Sequence, residues 1–338
     1  MRRTTVRFWL ITLTLALVVI LPSAAQENTC GTDIITEMDT LLAQAQEAFA
    51  SGDTITGNAF IADARALAAP CMDADVPDIT QPVTSNADWT PIIQEFDGVE
   101  MVLVPTGCFL MGNDPTAFYL DSIGQFAQGV PDGGTQCFDE PFWIDRYEVT
   151  NGQFAQFGGQ AVQSSDWTGD NLPRETINWF EARDFCELRG ARLPTEAEWE
   201  YSARGPDGLI YPWGNELAGS MVNFCDTNCE YGWKDTDYDD GYPATAPVGS
   251  YEGGVSWVGA YDLSGNVMEW VSTIYQDYPY NAGDGRESNS DTHSYRVLRG
   301  GSWGDIVSLV RAANRARFDP DSGYSVNGFR CARANSDS

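Results

Sequence analysis

The chain opens with Arg2, Arg3 and Arg7, followed by an apolar run from Phe8 to Leu21 and then Pro22-Ser23-Ala24-Ala25. A positive stretch, a short apolar run and a small-residue boundary have the form of a secretory signal, with cleavage expected after Ala25. The run is short for a membrane span, and no later apolar stretch approaches the roughly 20 residues that a spanning helix needs. The pattern then turns helical. Ile35, Met38, Leu41, Leu42, Ala45 and Phe49 recur at helical spacing, as do Phe60, Ile61, Ala64 and Leu67, with Gly52-Asp53 at the turn. This predicts a helical hairpin within 26–71, with helices over about 33–51 and 54–69. One hairpin cannot bury a core as a solenoid of repeats does, so an accessory role is expected. Cys30 and Cys71 fall at its outer ends, where a bridge is natural. Residues 72–94 read as a linker, rich in proline, acid and small polar residues without a period.

A different pattern begins at Gly98. GVEMVLVPTGCFLMG predicts short strands over about 101–105 and 107–111. Helices are expected over about 151–158 and 178–189, the second with Trp179, Ala182, Phe185 and Cys186 on one face. Thr195 opens a third, with Glu198 completing a capping box. The rest, to residue 334, consists of short apolar runs among Gly, Trp and Tyr. So few regular elements in so long a domain call for other ties: disulfides, metal ions or arginine pairs.

Composition sets the environment. The formal charge is −30, and it falls to −33 once residues 1–25 are removed, because they carry three arginines and no acid. Such acidity opposes binding to nucleic acid or anionic membranes, which requires clustered Lys and Arg. It permits cation binding. Lys234 is the only lysine against eighteen arginines, which favours fixed bidentate pairing. The eight cysteines are even in number, and in an exported chain disulfides are expected. Cys225 and Cys229 are close enough for a local loop. His293, the only histidine, lies in a polar loop and is expected to be exposed. The acidic stretch 235–242 fails the EF-hand spacing, since its sixth position is Asp240 and its twelfth is Ala246.

Several phrases occur in one order: VLVPTGCFLMG (102–112), FWIDRYEVTNGQFAQF (142–157), INWFEARDFCELRGARLPTEAEWEYSAR (177–204), YPWGN (211–215), TAPVGSY (245–251), YDLSGNVMEWV (261–271), LRGGSW (298–303) and GFRCAR (328–333). Over 95–334 the chain resembles the formylglycine-generating-enzyme, or sulfatase-modifying-factor, family. The resemblance implies an α+β, C-type-lectin-like fold with much irregular structure. It also implies structural calcium and, in active members, oxidation of a sulfatase cysteine to formylglycine. One implied calcium site maps onto Asp262, Gly265, Val267 and Glu269, and a second onto Asn223, Phe224, Asp240 and Tyr242. Gly265, Val267, Phe224 and Tyr242 would contribute backbone oxygens. An alternative for Glu269 is pairing with an arginine. The resemblance pairs Cys186 with Cys331. A second family bridge would need cysteines at Ala203 and Arg315, and both are missing together. Cys108 and Cys137 are left as a further pair.

The departure that matters follows the GGS phrase. The two cysteines that hold copper in the oxidase map onto Asp305 and Val310, and no cysteine lies between Gly300 and Arg330. Cu(I) selects soft thiolates, so copper is not expected here. Val326 also stands where the family reads Asn, with Asn327 beside it. The position of the oxidase site would become a groove at Ser302, Trp303 and Asp305, with Trp257 and Trp270 as further candidate walls, Trp270 being read as core. The resulting expectation is a secreted or extracytoplasmic, calcium-stabilised domain. It would bind a protein, peptide or small ligand, without oxidase chemistry. The alternatives are a true formylglycine-generating oxidase, or an enzyme using Asp305 with Arg315 or Arg317.

Overall fold

In a computed structural model of the protein, the described residues are 81–120 and 126–335, with Ile79 and scattered positions between 36 and 63. The chain divides into two units, 1–76 and 77–338. In the first, the described positions between 36 and 48 and between 56 and 63 are helical, in the two stretches where the periodicity places helices. The expected signal segment and the Cys30–Cys71 bridge lie outside the described residues. Among those residues, no helix is long and apolar enough to cross a membrane.

The second unit is built on two sheets. The first is antiparallel, in the order β1 (Ile93–Phe96), β2 (Val99–Val104), β5 (Phe142–Asp145) and β10 (Ala332–Ala334). β2 and β5 are its inner strands, which explains their near-continuous apolar runs VEMVLV and FWID. Val102, Ile144 and Ala332 face one another across three strands. The second sheet runs β4 (Phe126–Phe138), β3 (Gly107–Leu120), β8 (Arg315–Phe318), β7 (Arg296–Arg299), β6 (Met268–Ile274) and β9 (Asn327–Phe329). β3 and β4 form a hairpin far longer than the strand expected over 107–111. The Cys108–Cys137 disulfide joins directly opposed residues of the hairpin.

Three helices pack beside the sheets: α1 (Asn151–Gln156), α2 (Trp179–Leu188) and α3 (Glu196–Arg204). Each opens on a complete capping box, Thr150 with Gln153, Asn178 with Glu181 and Thr195 with Glu198. All seven residues of β6 are buried, with α2 and α3 against it. Trp179 donates its indole N–H to Val271 O at 2.9 Å, and Trp270 donates to Ile177 O at 2.9 Å. Both indoles therefore belong to the core. So does Trp257, whose N–H donates to Tyr201 O at 2.9 Å. The rings in contact with Trp303 are those of Trp167 and Tyr231.

The expected linker is shorter than the sequence implied. From residue 81 onward it is part of the second unit: Val83 bridges Gly107, and Val83 and Trp89 are buried in the main core. β1 begins before residue 94. Two apolar residues spaced among prolines and acids show no period, so the pattern carried no signal for this packing.

The arginine ties are present. Every residue of α3 is buried, including Glu196 and Glu200. Arg299 of β7 bridges both, donating to Glu196 at 2.9 Å and to Glu200 at 2.5 Å. Arg315 of β8 grips Glu196 through two bonds of 2.5 and 2.9 Å, and Arg204 reaches Glu200 at 2.6 Å. Cys186–Cys331 ties α2 to the end of the chain.

Candidate functional site

The tail of GGSW meets the loop that follows Cys225. Gly301 has φ +71°, and a Cβ there would lie 2.5 Å from Leu309 O, so only glycine allows the turn. Ser302 donates its hydroxyl to Asp305 Oδ2 at 2.7 Å, and Asp305 N–H donates to Ser302 O at 3.0 Å. Burial pushes the Asp305 carboxyl above its ordinary range, against the Ser302 hydrogen bonds that lower it. Its carbonyl accepts from Cys225 N–H at 2.9 Å, so the two loops are sewn together. Val310 is fully buried in an apolar cluster with Tyr211, Val222 and Phe224.

Trp303 is 7% exposed and anchored at both ends: its backbone N–H donates to Asn266 O at 2.8 Å and its indole N–H to Ser325 O at 3.0 Å. Tyr231 stacks on it at 5.7 Å, and Trp233 stacks on Tyr231 at 4.6 Å. Trp167 meets the edge of Trp303 at 5.8 Å. The result is a wall of rings graded from buried Trp303 to exposed Trp233. Of these rings, Trp303 alone is marked by the sequence motifs; Tyr231, Trp233 and Trp167 are not. The phrase YGWK after Cys229 was the available signal, but nothing in its spacing ties it to residue 303.

The two loops expected to hold calcium adjoin one another. Asn223 pairs with Gly265 in a bridge, and Asn266 N–H donates to Asn223 O at 3.0 Å. A Cβ at Gly265, where φ is +75°, would lie 2.1 Å from Asn223 O, so this contact requires glycine. In the first loop, Asp240 accepts from Phe224 N–H at 3.0 Å and from Tyr242 N–H at 2.8 Å, bringing all three together. Burial pushes Asp240 up to about 7, with Asp226 adding to the rise. Asn223 Oδ1 is buried and has no hydrogen-bond partner.

In the second loop, Asp262 accepts from Gly249 N–H at 2.7 Å, and burial raises it to about 6. Glu269 is committed elsewhere. It accepts two bonds from Arg330, at 2.6 and 2.7 Å, and one from Trp199 at 2.7 Å. Glu148, which sequence reasoning missed, sits beneath this loop and accepts from Asn266 at 2.5 Å and Val267 N–H at 3.0 Å. Burial, with Asp262 and Glu269 nearby, pushes its carboxyl well above the ordinary range. Among the described residues, no group of three or more His, Cys, Asp and Glu side chains is arranged to hold a metal.

The remaining expectations are placed as follows. Cys108–Cys137, Cys186–Cys331 and Cys225–Cys229 are disulfides, and no described cysteine is free. His293 is exposed beside Thr292. Arg315 is bound to Glu196, and Arg317 lies over the rings of Tyr275 and Tyr295. The structure pairs neither with Asp305, so an acid–arginine dyad at that position finds no support.

The frame of the second unit is the α+β, C-type-lectin-like class: among its described residues, two sheets, three short α-helices and long loops, with a candidate site where loops cross at the end of GGSW. The chain belongs to the sulfatase-modifying factor enzyme 1-like domain family, whose model matches residues 90–335. It is 38% identical over 290 residues to the bovine "Inactive C-alpha-formylglycine-generating enzyme 2", covering 69% of this chain and 88% of that protein. It is 31% identical over 297 residues to the formylglycine-generating enzyme of Thermomonospora curvata, covering 69% and 92%. Among solved structures, PvdO from Pseudomonas aeruginosa matches with TM-score 0.56 and 27% identity, over 73% of this chain and 99% of that one. Treponema denticola variable protein 1, at 21% identity and TM-score 0.51, shares the fold.

Proposed function

We propose that this chain is an exported, calcium-stabilised binding member of the family without copper-oxidase chemistry. The observation that carries the reading is the donor set after GGSW. Asp305 presents oxygen already bonded to Ser302, and Val310 is sealed in an apolar cluster. Neither offers the thiolate that Cu(I) selects, and the described cysteines are all bridged. The residues present therefore do not fit copper. The test is incubation of the purified protein with copper, oxygen and a sulfatase-type cysteine peptide, followed by mass spectrometry. No aldehyde is expected; turnover like that of a working oxidase would overturn the reading.

The disulfides and the N-terminal pattern favour an oxidising compartment. Intact mass of secreted protein should correspond to a chain starting at Gln26. Retention of residues 1–25 in the membrane would contradict export.

Calcium fits one of its two expected places. Asn223 Oδ1 is buried and unpartnered, and the next residue, Phe224, donates its N–H to Asp240, whose two oxygens have lone pairs to spare. Asn223 and Asp240, with the carbonyls of Phe224 and Tyr242, are the ligands we assign. The Asp262 loop fits less well, because Arg330 and Trp199 already occupy Glu269. An ion bound only by the folded state at a hundred times its Kd adds about 2.7 kcal/mol. For a domain of this size, chelation should then lower Tm by about 5–10 °C. Asn223→Ala should abolish that response, whereas Glu269→Ala should destabilise with or without calcium. An unchanged melting curve on chelation, with no metal by elemental analysis, would remove calcium from the site.

A further inference from the structure

We propose that the exposed face of Trp233 receives an arginine-bearing segment of a partner polypeptide. This deepens the binding reading of the GGSW site and rests on it.

The first observation is how this protein treats its aromatic faces. Arg296 lies 3.9 Å over Trp179, Arg315 4.0 Å over Tyr278, Arg333 4.5 Å over Phe96 and Arg299 5.3 Å over Trp199. Among the described residues, no cation is placed over Trp303, Tyr231 or Trp233. Those three rings form one stack, with interplanar angles of 17° and 15°. Tyr231 covers one face of Trp233, and the other is open to solvent: Trp233 is 57% exposed.

The second observation is that this open face is held in place. The Trp233 indole N–H donates to Gly304 O at 3.0 Å, which fixes the ring plane. The Cys225–Cys229 bridge closes the loop, and Asp235 N–H donates to Cys225 O at 2.9 Å. Little ordering is left to be done on binding, so contact energy is not spent on it.

The third observation is charge. Between residues 226 and 240 there are six acids and one cation, Lys234. Lys234 is turned to Thr227 O, at 3.2 Å. Glu230, Asp237 and Asp239 are exposed. An anionic ligand would be repelled here, and a neutral sugar could stack on the ring and donate hydroxyls to the carboxylates but would leave their charge uncompensated. A guanidinium also brings the opposite charge: it lies flat on an indole, and its N–H fork donates to carboxylate oxygens as a charge-assisted pair. The site is an open wall rather than a closed pocket, which suits a side chain carried on a longer segment.

The test uses the full mature chain and three octapeptides alternating Gly with Arg, Glu or Ser, followed by calorimetry and tryptophan fluorescence. The Arg peptide should bind saturably, and more weakly at high salt; the other two should not bind. Trp233→Ala, at an exposed position, should keep the parent Tm and weaken binding about five-fold. Glu230→Gln with Asp237→Asn should weaken binding and flatten its salt dependence, whereas Glu95→Gln, on the other sheet, should leave it alone. Undiminished binding by Trp233→Ala would show general attraction to an acidic surface and overturn the proposal. Equal binding of the three peptides, or none at all, would overturn it too. Those failures leave the aldehyde assay unaffected, so the non-oxidase reading stands or falls separately.

Discussion

Replacing Glu196 with alanine should lower the unfolding free energy by about 4 kcal/mol, the range found when one partner of a buried ion pair is removed. Glu196 has no exposure to water and is shared by two arginines that are equally buried. Truncation leaves Arg299 hydrogen-bonded to Glu200 and the Ala312 carbonyl, and Arg315 to the Gln276 carbonyl, beside the rings each lies over. No solvent is at hand to replace the lost carboxylate. The matching fall in Tm is about 8–16 °C for a domain of this size. Asp184→Ala, which breaks an exposed pair with Arg183, should change stability by less than about 1 kcal/mol. The network also predicts a pH dependence. Burial alone would raise the Glu196 carboxyl, but Arg315 and Arg299 outweigh it and hold the carboxyl below its ordinary value. A depressed folded-state pKa contributes stability above the unfolded value, and this is lost as pH falls through the folded one. Acid should therefore unfold the wild type over a range where Glu196→Gln, already weakened, shows a shallower decline. Equal thermal stability of Glu196→Ala and wild type would mean that the arginines find other partners and that this network is not a principal tie.

How much of this was legible follows from where the information resides. The capping box at Thr195 and the face of α2 carrying Trp179, Phe185 and Cys186 were readable because helix signals repeat within a few residues. The motif series placed the fold and put Ser302, Trp303 and Asp305 together. The partners of those residues were not readable. Glu196 and Arg315 are 119 residues apart in sequence, as are Glu148 and Val267, and neither separation leaves a local pattern. Glu269 shows the limit most clearly. Its motif context implied a calcium ligand with an arginine pair as the alternative, and the fold brings it against Arg330 and Trp199, partners that its motif could not name. Tyr231 and Trp233 carry no local signal for the same reason, since the stack on Trp303 is made by two loops about 70 residues apart. The split of 81–94 between linker and core likewise depended on Val83 and Trp89, two residues without a period.

The site's chemistry can be tested by restoring what the family oxidase has. In Asp305→Cys with Val310→Cys, two thiols return to the mapped positions, and the double variant should retain one Cu(I) per chain against a competing chelator. Wild type should retain none, and each single variant far less than the pair, because soft two-coordinate binding needs both sulfurs. The change at 310 should be tolerated, since a buried cysteine packs as a small hydrophobe among Tyr211, Val222 and Phe224. The change at 305 removes one carboxylate whose side-chain partner is the Ser302 hydroxyl, and it leaves intact the backbone bond from Cys225 that holds the loop. Folding should therefore survive, with the parent melting temperature as the check. A folded double variant with two titratable thiols and no copper would show that the positions after GGSW are aligned wrongly. In that case Asp305 would no longer stand for a lost ligand, and the oxidase site would have to be sought elsewhere on the loops around Trp303. Copper uptake by the double variant, with none by wild type, would place the difference between this chain and a working oxidase at two side chains on an otherwise intact frame.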